Sequence, residues 1–122
     1  MIHCSDRQFV HELIVFELAI RTLKYDFSLL PTFKMHRFYA HMLEQFVESL
    51  RIEYAICKEL LAKKGIRLVQ FVKVDAYFCD VQLVTAGEEL TIRYANQALK
   101  IAVEELLFKK LKNESLFPQK HL

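Results

Sequence analysis

Histidines, cysteines and paired carboxylates are the side chains through which a small protein does acid–base, metal or nucleophilic chemistry. The five histidines lie at 3, 11, 36, 41 and 121. None has a second histidine four residues on, and there is no His-Glu-x-x-His run, so the spacing a helical metal site needs is missing. His36 and His41 are five apart and point to different faces of a helix. Glu44 and Glu48 are four apart, but neither has a histidine three residues on. The di-metal bundle pattern therefore does not form, and a solvated face with Arg51 beside Glu48 is the reading. The three cysteines, at 4, 57 and 79, make no Cys-x-x-Cys pair. Their odd number fits free thiols in a reducing cytoplasm, with Cys57 and Cys79 in the core and Cys4 on a loose N-terminus. Asp80 next to Cys79 would raise the thiol pKa, which disfavours a reactive cysteine. Ser28, Ser49 and Ser115 sit on no Gly-x-Ser-x-Gly elbow. The expectation is a protein without catalytic residues, cofactor or metal, and not an enzyme.

The elements that would position these groups are few and long. The chain has 122 residues, 53% of them hydrophobic, with only 2 Gly and 2 Pro. A β-sandwich or barrel needs more turn residues than that, and Gly65 and Gly87 alone build no glycine-rich phosphate loop. Ser5-Asp6-Arg7-Gln8 has the capping-box form. Phe9, Leu13, Phe16, Ile20, Leu23 and Phe27 then repeat at four and three, which predicts a helix over about 6–25. Glu17 and Arg21 stand in the favoured order for a helix ion pair. Pro31 breaks the pattern, and Thr32 is placed to cap a second helix. Met35, Tyr39, Met42, Phe46, Leu50, Tyr54, Cys57 and Leu61 carry that helix over about 33–64, with Lys63 and Lys64 at its negative end and Gly65 at the left-handed terminating position.

After Gly65 the texture is β. Residues 66–74 and 77–84 are rich in β-branched and aromatic types. In the second run Tyr77, Cys79, Val81 and Leu83 alternate with Phe78, Asp80, Gln82 and Val84, which predicts an antiparallel hairpin turning at Val74-Asp75-Ala76 and ended by Ala86-Gly87. Glu88 and Glu89 suit a helix N-terminus, and Ile92, Ala95, Leu99, Ala102 and Leu106 predict a third helix over about 89–112. The expected fold class is α+β and mostly helical: a helical bundle of order α-α-β-β-α, with a long second helix and one antiparallel hairpin. Residues 1–112 form a single domain, and 113–122, with Pro118, a frayed tail. The charges in helix one exclude a membrane span.

Several short motifs carry a family resemblance. They are Phe33-Lys34 before the long helix, Lys63-Lys64-Gly65-Ile66-Arg67-Leu68 at the helix-to-strand junction, and Leu99-Lys100 with Val103-Glu104-Glu105-Leu106 in the last helix. Over roughly residues 30–110 the chain resembles the YhjD-like proteins, small proteins of spore-forming Bacillota. The resemblance implies no activity, catalytic residue or cofactor.

Function must then be sought in surfaces. Helix one is apolar on nearly every side, more than one small core covers, so a homodimer or another protein partner is expected to supply the second side. The candidate interface is Phe9, Phe16, Ile20, Phe38, Met42 and Phe46. The expected function is a non-enzymatic cytoplasmic protein acting by self-association or partner binding, in a regulatory role. The alternative is a nucleic-acid-binding regulator using Lys63, Lys64, Arg67 and Lys73. The formal charge of +2 and pI near 8.4 lie below the range of a dedicated nucleic-acid binder.

Overall fold

A computed structural model describes residues 4–113, the side chains of Cys4 and Ser5 excepted. The order is α1 (Cys4–Phe27), a 3-10 turn (Leu30–Thr32), α2 (His36–Lys63), β1 (Ile66–Lys73), β2 (Phe78–Thr85), β3 (Glu88–Ala95) and α3 (Asn96–Asn113). The fold is α+β and mostly helical, as the periodicities predict. The sheet differs in having three antiparallel strands, in the order β1-β2-β3.

α1 and α2 form an antiparallel pair. Asp6 meets Lys64 at 2.5 Å, the Cys57 thiol donates to the Phe9 carbonyl, and the Tyr54 hydroxyl donates to Glu17, so partners advance along one helix as they retreat along the other. The Glu17–Arg21 pair forms at 2.8 Å. α2 has 28 residues, about 42 Å at 1.5 Å each. It stops as expected: the Gly65 amide donates to the Ala62 carbonyl at 2.9 Å, and Gly65 has φ +77°, which only glycine adopts cheaply. Its start departs from expectation. Met35 holds the N-cap position without a side-chain bond, and the Thr32 hydroxyl instead donates back to the Leu29 carbonyl at 2.7 Å within the 3-10 turn. Cys4 is the first residue of α1. The Ser5 half of the proposed capping box, and the tail beyond Asn113, fall outside what the structure describes.

The segment predicted as the start of the third helix is instead β3. Glu88 pairs with Thr85, leaving Ala86 and Gly87 as a two-residue loop, both at positive φ (51° and 81°). That is the geometry whose twist matches a hairpin. Leu90, Ile92 and Tyr94 then turn inward, while Glu89, Thr91 and Arg93 face out, a period of two that overrides the helical spacing of Ile92, Ala95 and Leu99. Ala86 is the one non-glycine residue at positive φ among the described residues. Ala86→Gly should therefore raise stability by about 0.5–1 kcal/mol in a thermal melt, relief of left-handed strain exceeding the entropy cost of glycine.

Two core clusters run through the molecule. One joins Val10, Leu13 and Ile14 of α1 and Cys57 and Leu61 of α2 to Ile66, Val81, Leu83 and Leu99. The other joins Val15, Ala19, Ile20 and Leu23 to Phe46, Val47, Leu50 and Val103. α1 is thus covered over most of its apolar circumference by the sheet, α2 and α3 of its own chain, with Phe9 and Tyr25 left exposed.

Candidate interaction surfaces

α2 carries two stripes. The inner one, Phe46, Leu50, Cys57 and Leu61, is buried. The outer one, Ile52, Ile56 and Leu60 at successive steps of four, is exposed, with Ile56 at 56%. Beside it lies a groove of about 630 Å³ where α2 and α3 flank α1. Phe9, Phe16, Ile56, Leu60 and Leu106 form much of its wall, and Glu12, Glu53, Glu105, Lys109 and Lys110 supply charge of both signs. The Lys110 ammonium pairs with the Glu53 carboxylate between the two helices. A second groove of about 690 Å³ lies between the start of α1 (Arg7, Val10) and β3.

The six residues singled out from the sequence do not form one face. Phe9 and Phe16 line the first groove, Phe9 being exposed. Ile20 and Phe46, each 8% exposed, belong to the core between the helices. Phe38 is exposed near the start of α2 and Met42 is half-buried one turn on. Sequence reasoning missed Ile52, Ile56 and Leu60. Their i, i+4, i+8 spacing was there to be read, but the stronger aromatic stripe on the neighbouring face drew the assignment.

The four basic residues of the nucleic-acid alternative are also divided. Lys64 is engaged by Asp6, and Lys63 lies 3.9 Å from Glu59. Arg67 is at one end of β1 and Lys73 at the other, about 20 Å apart at strand rise.

The polar side chains between layers are paired. Tyr54, donating to Glu17 at 2.7 Å, has its pKa pushed up to about 12 by burial first and then by that carboxylate. Arg21, also bound to Glu17, lies 4.8 Å over the Phe71 ring and ties α1 to β1. His11 stacks on Tyr94 with Nδ1 3.2 Å from the phenol oxygen, and burial raises the Tyr94 pKa. On the outer sheet face Arg93 grips Asp80 with two hydrogen bonds, at 2.7 and 3.1 Å, which hold the Asp80 pKa below its ordinary value. The Cys57 and Cys79 thiols are free, and both pKa values are raised, chiefly by burial and secondarily by Glu12 and Asp80. Among the described residues no group of three or more His, Cys, Asp or Glu is placed to hold a metal ion.

Tyr54 offers a direct check. Its folded pKa lies above the free phenol value of 10.0, so its contribution to stability is complete below pH 10 and lost as pH rises through about 12. In an alkaline absorbance titration the last tyrosinate to appear should belong to Tyr54, and Tyr54→Phe should remove that step.

No helix among the described residues is long and apolar enough to cross a membrane. No curated protein and no solved structure matches the chain. A family model described as YhjD protein matches residues 1–115, which takes in all of α1, the sheet and α3; the chain belongs to the YhjD family.

Proposed function

We propose that the chain is a non-enzymatic cytoplasmic protein of Bacillota that acts by self-association, as a homodimer joined through the outer face of α2. The observation that carries this reading is the exposed stripe of Ile52, Ile56 and Leu60, continuous with Phe9 in the first groove. Its surroundings are complementary to a second copy of themselves. At 100° per residue Glu48, Ile52, Ile56, Glu59, Leu60 and Lys63 fall within an arc of about 120°. A two-fold axis at Ile56 sets Ile52 of one copy against Leu60 of the other and brings Glu48 toward Lys63. Every contact off the axis is then made twice, which is the defining property of an isologous interface. Glu48 and Lys63 are both exposed in the single chain.

Such a dimer extends the helical layer into a symmetric body in which both sheets remain free, an arrangement suited to a regulatory partner. Sedimentation equilibrium should give a species at twice the 14.5 kDa of the chain. A monomer at the highest soluble concentration would remove the reading.

A further inference from the structure

The corner where α1 turns into α2 holds a separate concentration of exposed apolar side chains. Tyr25, Leu29, Phe33, Met35, Phe38 and Tyr39 are all more than 40% exposed. Three of the rings touch one another: Tyr39 lies 6.0 Å from Phe33 and 5.7 Å from Phe38, edge-on to both. The charges among them are one-sided. Lys24, Lys34 and Arg37 are exposed cations, against the single carboxylate of Asp26. The corner lies apart from both grooves described above, neither of which is lined by any residue between 24 and 41.

We propose that this corner docks on a membrane surface bearing anionic lipids. Aromatic and thioether side chains on a helix corner enter the headgroup region, where tyrosine keeps its hydroxyl in water and its ring in the acyl boundary. Lysine and arginine beside them are drawn to anionic headgroups, each strengthening attachment about five-fold. An acidic protein would match the charge but would make less use of the tyrosine and phenylalanine rings, which suit a headgroup boundary. A protein interface of ordinary size needs about 800 Å² of complementary surface on each side, and the corner supplies six exposed apolar side chains outside both grooves. A lipid interface deforms around the corner and makes no such demand. The docking leaves the outer stripe of α2 free and does not depend on the dimer.

The test is co-sedimentation of the full chain with vesicles of phosphatidylcholine alone and of phosphatidylcholine with phosphatidylglycerol. Binding is expected only to the second kind, and should weaken as salt is added. Lys34→Glu with Arg37→Glu should weaken it about twenty-fold or more, and Phe33→Ser with Phe38→Ser should leave at most a weak, salt-sensitive residue. The charge variant touches exposed side chains alone, so it decides the matter if the aromatic variant does not fold. No binding to phosphatidylglycerol vesicles at low salt would overturn the proposal. So would undiminished binding by the folded charge variant, or tighter binding to soluble polyglutamate than to the vesicles, which would point to an acidic protein instead.

Discussion

Ile56→Glu is expected to give a folded monomer, and Phe46→Glu to give no soluble folded chain. The two residues lie on the same helix and differ in where their side chains go. Ile56 is 56% exposed in the single chain, so a carboxylate there meets water and should change monomer stability by no more than about 0.5 kcal/mol. In the proposed dimer the same position lies on the two-fold axis. Two carboxylates would face each other there with their hydration removed, at a cost of several kcal/mol. A loss of about 2.7 kcal/mol already weakens association a hundred-fold. Phe46 is 8% exposed, packed among Ala19, Ile20, Leu23 and Leu50 in the second core cluster. A carboxylate there loses the ring contacts, about 3–5 kcal/mol, and must in addition be buried without a partner. Sedimentation equilibrium and far-ultraviolet circular dichroism separate the cases. An Ile56→Glu protein that still sediments as a dimer moves the interface away from this face.

The contrast also shows what was legible in the sequence. Periodicity located α1, α2 and the β1–β2 hairpin, and the alternation it reads in β2 is the one the structure shows, with Cys79, Val81 and Leu83 inward and Asp80 and Gln82 between them outward. It placed Gly65 at the end of α2 for the right physical reason. It failed at 88–95, where Ile92, Ala95 and Leu99 satisfy a helical spacing while Leu90, Ile92 and Tyr94 satisfy a strand. Two periods fit the same residues, and the tie is broken by the Ala86-Gly87 turn together with the unpaired edge of β2. That edge is a tertiary fact with no local signature. β1 hides a similar case. Its register shifts between Leu68 and Gln70, so Val69 is an extra residue and Leu68 and Phe71, three apart, both face the core. A single substring cannot announce that bulge; it is visible only against β2.

The candidate surface is legible only in part for a related reason, since Ile20 and Phe46 lie in the core. The sequence makes α1 too apolar for one small core and so predicts a second chain against it, whereas the sheet, α2 and α3 of the same chain cover most of it. Composition reports how much apolar surface exists, and not which part the chain covers by itself. With most of α1 covered, exposed apolar side chains remain on every layer, and they group as the stripe of Ile52, Ile56 and Leu60 on α2 and as the aromatic corner before it.

Leu83→Ala is expected to be among the most costly conservative changes in the molecule, about 2–5 kcal/mol. Leu83 is fully buried on the central strand, between Leu68 of β1 and Leu90 of β3, and belongs to the cluster that seats the sheet on α1 and α2. Neither edge strand can shift to fill the space without breaking its pairing with β2, so the cavity should persist. At about 4 °C per kcal/mol for a domain of this size, the melting temperature should fall by about 8–20 °C. The measurement belongs in the Ile56→Glu background, where dissociation does not contribute to the transition. Val84→Ala is the matched control, because Val84 is the next residue on the same strand and faces outward opposite Arg67 and Glu89. It should cost less than about 1 kcal/mol. Moving the register by one residue would exchange the faces of the two side chains. Equal losses at 83 and 84, or a larger loss at 84, would therefore contradict the sheet's seating on the helices.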